Sequence, residues 1–321
     1  MPPTKLILII GPTAVGKGSA AFHLAQTLNA HILSIDSMKV YRRMDIGTAK
    51  PSPDRRSALP YHLIDVVEPS QPFSVGRFVE LADAVIDTCL AQNTPLVAVG
   101  GTAMYIRALI EGLFQGPPAD PQIRRQLQQQ AATQGHHALH HRLAQLDPLA
   151  AQRIHPNDLK RIIRALEVHT LTGQPLSSFH THFRTGQYRH PWHIIGLRRP
   201  REDNNHRINL RVKRMVDTGL LDEVRALLAE HPPVSPQAAQ AVGYAEIIDH
   251  LKGRTTLPDA IEQVKINTRR LAKTQRTWFR SFQHVHALDL TPDESPQTTA
   301  QRILDSLPPD GSTLSSLPPG Q

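Results

Sequence analysis

The sequence is poor in cysteine, in acidic side chains and in long apolar runs. Its 321 residues include a single cysteine, Cys89, which excludes an intramolecular disulfide framework and any zinc site built from cysteine pairs. The apolar run Leu6–Ile10 is too short for a signal-peptide core or a membrane span, and a glycine-rich turn follows it at once. A soluble cytoplasmic protein is therefore expected. Asp and Glu number 28 against 36 Lys and Arg, a formal net charge of +8. A balance this basic favours a polyanionic partner such as nucleic acid. Hydrophobic residues make up 40% of the chain and charged residues 20%, which excludes a disordered or fibrous protein. The length suits two domains, or one core with a large insertion.

Lys5–Ile10 is a continuous, isoleucine-rich run of the kind that fills a strand buried on both faces of a parallel sheet. Further β-like runs follow at 31–35, 61–67 and 95–99. Helical spacing occupies Ser19–Leu28 and Ser74–Ala91. This alternation predicts an α/β fold, a P-loop NTPase-like parallel sheet core. The texture changes at Gly116-Pro117-Pro118, and from Pro121 to about Gly173 strong helix formers dominate. The expected organisation is residues 1–118 as the first part of the core and 119–190 as an all-helical insertion domain, including a loop-like stretch at 174–190. Residues 191–306 complete the core, with strands at 192–197 and 284–288. The segment 307–321, with Pro-Pro twice and little apolar periodicity, is read as a disordered tail.

Chemistry first shows at residues 11–18: Gly11, Pro12, Thr13, Ala14, Val15, Gly16, Lys17 and Gly18. A loop of the form G-x-x-x-x-G-K-[ST], following a strand and opening a helix, holds phosphates on backbone N–H groups and lysine, and Mg²⁺ on the final hydroxyl. Here the hydroxyl position is Gly18. Ser19, one residue on, is rotated by about 100° around the helix. Asp36 and Thr102 end the second and fourth predicted strands, at the sheet edge where ligands of such folds bind. Each also has a plain reading as a helix cap.

Asp36 opens Asp36-Ser37-Met38-Lys39-Val40-Tyr41-Arg42-Arg43-Met44-Asp45-Ile46-Gly47-Thr48-Ala49-Lys50-Pro51. This stretch resembles the signature of tRNA dimethylallyltransferases, which prenylate the adenosine beside the anticodon. Four further segments agree in order: Gly100-Gly101-Thr102-Ala103-Met104-Tyr105-Ile106, Arg207–Arg211, Gln240-Ala241-Val242-Gly243-Tyr244 and Thr268–Arg280. The resemblance spans roughly residues 5–290. It implies Asp36 as the general base, with Thr102 and Arg211 beside the reacting groups and residues 11–18 holding the diphosphate. It further implies tRNA contacts from Ser37, Met38 and Lys39, from Arg124, and from Lys160, Arg161, Ile162, Ile163 and Arg164. Gln240–Tyr244 and Lys273, Gln275, Arg276 and Arg280 complete that set. The implied partners are the anticodon arm of tRNA and dimethylallyl diphosphate, with Mg²⁺ as cofactor, no membrane, and a monomer acting on tRNAs that read codons beginning with U. Physical chemistry agrees with these roles. The exocyclic amine of adenine is a poor nucleophile that a positioned carboxylate helps by taking its proton. A departing pyrophosphate needs fixed donors and cations.

Lys265–Arg280 holds six basic residues and no acidic one. Arg269, Lys273, Arg276 and Arg280 fall on one helical face, a stripe able to track a phosphate backbone or simply to face solvent. Trp278 or Phe279 could stack on a base or pack inward. His136, His137, His140 and His141 form i, i+4 pairs without an interleaved carboxylate or cysteine and are read as an exposed helix face rather than a metal site. Asp65, in Leu63-Ile64-Asp65, is given no role. Two departures from the family pattern stand out. Thr274 replaces a basic residue, and Gly18 replaces the loop hydroxyl and is expected to weaken the hold on Mg²⁺. Two other readings remain open: a small-molecule or nucleoside kinase using ATP on the same loop, and an RNA-binding module that has lost catalysis.

Overall fold

The computed structural model describes residues 6–113, 116–179 and 188–308. The chain forms two compact units, one of residues up to Ile110 and from Tyr188 onward, the other of Glu111–Gln187. The second unit thus begins before the expected 119 and ends before the expected 190.

The first unit is built on six strands: β1 (Leu6–Ile10), β2 (His31–Ile35), β3 (Tyr61–His62), β4 (Leu96–Gly100), β5 (His193–Arg198) and β6 (Val285–Asp289). They pair in the order β3-β2-β4-β1-β5-β6, and every pairing is parallel. Because side chains alternate across a sheet, β1 feeds two cores at once. Leu6, Leu8 and Ile10 join one apolar cluster, while Ile7 and Ile9 join the other. All five are buried, which is why the run is continuous rather than alternating, and each contributes about 1.5–3 kcal/mol. Helices Val75–Ala91, Ala103–Glu111, Leu220–Leu228 and Tyr244–Leu251 supply the first cluster. Helices Lys17–Leu28 and Pro296–Asp305 supply the second.

The predicted third strand shrinks to two residues. Leu63 and Asp65 have φ of 60° and 55°, a left-handed backbone that leaves the sheet direction. The chain is instead held by backbone bonds from Asp65 and Val66 to Lys39 and Val40 and by ion pairs of Asp65 with Lys50 and Arg56. Asp65, given no role from sequence, is thus a structural anchor. Helices Pro53–Ala58 and Pro296–Asp305 were not expected. Of the expected tail, residues 309–321 lie outside the described residues, as do 180–187 of the loop-like stretch.

The second unit is helical: Pro121–Gln134, His136–Leu146, Pro148–Arg153 and Leu159–Thr172. Asp120, Asp147 and Asp158 cap three of these helices through their side chains, satisfying end N–H groups that the helix leaves open. Its own core includes Leu127, Leu139, Leu143, Ile162 and Leu166. Among the described residues, no helix is long and apolar enough to cross a membrane.

Candidate active site

Strand register creates the site. Ile10 and Ile35 both lie opposite Gly100, so the residues that follow, Gly11, Asp36 and Gly101, leave three adjacent strands at one edge. Gly101 and Thr102 N–H both point at the Ile35 carbonyl, at 3.3 and 3.5 Å. The Thr102 hydroxyl accepts the Ser37 N–H at 3.1 Å. Thr102 therefore bonds across to the Asp36 turn instead of capping its own helix. Asp36 Oδ1 accepts the N–H groups of Met38 (2.9 Å) and Lys39 (3.3 Å). Residues 37–40 form a turn and the next helix begins only at Pro53, so Asp36 closes a turn instead of capping a helix, and the two bonds fix its carboxylate in place.

The phosphate loop is gripped from behind by the segment after β5. Arg199 Nε donates to the Val15 carbonyl at 3.0 Å, Arg207 Nε to the Ala14 carbonyl at 3.1 Å and Arg211 Nη1 to the Thr13 hydroxyl at 3.1 Å. Two of these arginines belong to one helix, Arg201–Asp217; at a spacing of four they share a face. Lys17 Nζ donates to the Pro12 carbonyl at 2.7 Å. Burial, then repulsion from Arg211 and Lys39, outweigh attraction to Asp36 and push the Lys17 amine down to about 7. Burial likewise lowers Lys39, where Asp36 opposes the shift, and it lowers Arg211 together with Arg207. Three cations crowd one carboxylate here, an arrangement that an incoming polyanion relieves.

This has a measurable consequence. An anionic diphosphate raises the Lys17 pKa, so binding takes up a proton wherever the free amine is neutral. The uptake is close to one proton at about pH 8 and fades below about pH 6, where the free lysine is already charged. Calorimetry of inorganic pyrophosphate binding in two buffers of different ionisation enthalpy measures it, with Lys17→Met as the reference. Equal uptake by both proteins at about pH 8 would show that Lys17 is charged before the ligand arrives.

Gly18 leaves the metal position bare. A Cβ built there has no atom within 4 Å, and Ser19 Oγ instead accepts Arg55 Nη1 at 3.3 Å. Among the described residues, no group of three or more His, Cys, Asp or Glu side chains is placed to hold a metal ion. The residues present do not fit a Mg²⁺ held by a loop hydroxyl. His140, from the histidine-rich helix, places Nε2 at 3.1 and 2.9 Å from the Ala151 and Ile154 carbonyls, a structural engagement.

The Asp36–Pro51 segment is secured by a residue that sequence reasoning missed. The Glu223 carboxylate accepts the N–H groups of Asp45, Ile46 and Gly47 at 2.8–3.2 Å and the Tyr244 hydroxyl at 2.6 Å. A Cβ on Gly47 would lie 2.4 Å from the Tyr244 ring, so two separate sequence motifs meet in one packed contact. In sequence, Glu223 reads only as an acid in the first turn of a helix.

Several residues expected to touch RNA are placed otherwise. Ile162 and Ile163 lie in the helical core. Arg124 and Arg164 pair with the fully buried Glu167 at 2.8 and 2.7 Å, which leaves Lys160 and Arg161 exposed on that helix. Ala241 and Tyr244 are buried, whereas Gln240 is exposed. On helix Leu257–Phe279, Arg269 is tied to Asn209 and Glu262, and Gln275 is buried. Arg276 is half-buried, while Lys273 and the C-capping Arg280 are exposed. Trp278 packs under the Arg107 guanidinium, 4.9 Å from its ring centroid.

Comparison with known proteins places the chain in a family. The IPP transferase family model matches residues 39–282 and an isopentenyl transferase model matches residues 4–60. A tRNA dimethylallyltransferase of Geobacter metallireducens is 45% identical, covering 86% of this chain and 90% of its own. One from Geobacillus kaustophilus is also 45% identical, covering 89% and 91%. The crystal structure of a tRNA isopentenylpyrophosphate transferase from Bacillus halodurans superposes with a TM-score of 0.68 at 40% identity, covering 94% of each chain. A eukaryotic dimethylallyltransferase acting on tRNA superposes with a TM-score of 0.78 at 25% identity, covering 94% of this chain and 78% of its own. With the matched model spanning most of its length, the chain belongs to the IPP transferase family.

Proposed function

We propose that this protein transfers the dimethylallyl group of dimethylallyl diphosphate to N6 of the adenosine adjacent to the anticodon, in tRNAs that read codons beginning with U, and releases diphosphate. The observation that carries the reading is the meeting, at one sheet edge, of a fixed carboxylate (Asp36) with a cation-lined phosphate loop. The N6 lone pair attacks the allylic carbon, the carbon–oxygen bond breaks with its electron pair on the diphosphate, and the N6 proton passes to Asp36. Lys17, Arg211 and the loop N–H groups take up the charge that grows on the leaving oxygens. The Thr102 hydroxyl, which accepts from Ser37, still has its own proton to donate beside the reacting amine or leaving oxygen. Mg²⁺ enters this proposal only as an ion carried on the diphosphate. Lys160, Arg161, Lys273 and Arg280, all exposed, are the proposed phosphate contacts to tRNA. The protein is proposed to act as a monomer in the cytoplasm.

The test supplies labelled dimethylallyl diphosphate or labelled ATP, each with and without bulk tRNA. Label is expected in tRNA from the prenyl donor alone. ATP turnover without tRNA would favour a kinase on the same loop, and tRNA retention without transfer would favour a binding module. Either result would overturn the assignment.

A further inference from the structure

Gln275 sits on the helix of the basic stripe, yet the residue is only 8% exposed and both ends of its amide are used inside the protein. Oε1 accepts the Thr13 N–H at 2.7 Å and Nε2 donates to the Gly101 carbonyl at 2.8 Å. These two loops leave neighbouring strands, β1 and β4. Each leads directly to the chemistry. The Thr13 hydroxyl receives Arg211, and Gly101 precedes Thr102, which holds the turn of Asp36 through Ser37. The gap is shaped for that amide, because a Cβ on Gly101 would lie 2.5 Å from Nε2. One side chain thus spans the loop that holds diphosphate and the edge that carries the base.

The same helix presents Lys273 and Arg280 to solvent on either side of Gln275. A helix is a stiff element with a fixed rise of about 1.5 Å per residue, so a load on those cations moves Gln275 with them. We propose that Gln275 is a positioning residue that fixes the spacing between the diphosphate loop and the Asp36 edge, and makes that spacing answer to RNA seated on the helix. The proposal rests on the reading of function given above. It requires tRNA and diphosphate to strengthen each other's binding, a coupling that is reciprocal by thermodynamic necessity.

Equilibrium binding of inorganic pyrophosphate, with and without saturating tRNA, tests it in the full-length protein. Wild type is expected to bind pyrophosphate about 5- to 150-fold more tightly when tRNA is present. In Gln275→Met, which keeps the volume and removes both hydrogen bonds, that ratio falls toward about one, whatever the affinity for either ligand alone. Gly101→Ala, which displaces the amide while leaving the helix unchanged, has the same effect and serves where Gln275→Met fails to fold. A purely structural role would lower the melting temperature and leave the ratio in the folded protein intact; an unchanged ratio in both variants overturns the proposal. A wild-type ratio of about one also overturns it. If labelled dimethylallyl group still reaches tRNA in that case, the reading of function stands, so the two failures are distinguishable.

Discussion

Replacing Asp36 by Asn lowers the single-turnover rate of prenyl transfer by about a hundred- to ten-thousandfold, the range a positioned general base supplies, and leaves tRNA binding nearly intact. Asn is the informative change because its amide oxygen can still accept the Met38 and Lys39 N–H groups that Oδ1 receives now. The turn survives; the charge and the proton acceptor do not. Removing the carboxylate also removes the one attraction that opposes burial and cationic repulsion at Lys17, so the lysine amine falls further while the loop's N–H groups stay in place. Asp36→Ala adds loss of the two hydrogen bonds that close the turn, worth about 1.5–3 kcal/mol each for bonds to a charged group and less where they face solvent. It should therefore melt earlier than Asp36→Asn while transferring no faster. A rate for Asp36→Asn within about tenfold of wild type would remove Asp36 from its role as base.

How much of this was legible in the sequence depended on range. The phosphate loop, the strand ends at Asp36 and Thr102 and the helical character of the second unit all follow from local pattern, since strand period, glycine spacing and helix formers act over a few residues. The 61–67 run failed because apolar composition is blind to the left-handed Leu63 and Asp65. A helical wheel placed Arg269, Lys273, Arg276 and Arg280 on one face, but it could not show Arg269 tied down by Glu262 and Asn209. Nor could it show that Gln275 turns inward to loops more than 170 residues away in sequence. Arg124 is an RNA contact only by resemblance, and its pairing with Glu167, 43 residues downstream, has no local signal. Glu167 also holds Arg164 and the Asp120 N–H, and the Arg124 side chain stays 41% exposed, so the pair anchors the fold without withdrawing Arg124 from the surface. Glu223 had no local signal beyond helix-end acidity, although four hydrogen bonds converge on it.

Arg211→Gln is expected to lower kcat/KM for dimethylallyl diphosphate by about a hundred- to a thousandfold, the loss seen when one donor to a developing anion is removed, or about 2.7–4 kcal/mol of transition-state stabilisation. Arg211 donates to Thr13 and shares the site with Lys17 and Asp36, so it can satisfy the loop through one nitrogen and present others to the leaving oxygens. A lysine has three donors but all on one nitrogen, without the planar fork that reaches two separated acceptors in a fixed geometry. Arg211→Lys should therefore recover only part of the loss. The substitution carries a second signature that a damaged fold would not reproduce. Arg211 is the strongest of the cations that repel a proton from Lys17, so in Arg211→Gln the lysine regains proton affinity and is more often charged before ligand arrives. Proton uptake on pyrophosphate binding at about pH 8 should then shrink relative to wild type, even as catalysis falls. A variant that keeps kcat/KM within about tenfold, or takes up as many protons as wild type, would place Arg211 outside the charge network that holds the leaving group.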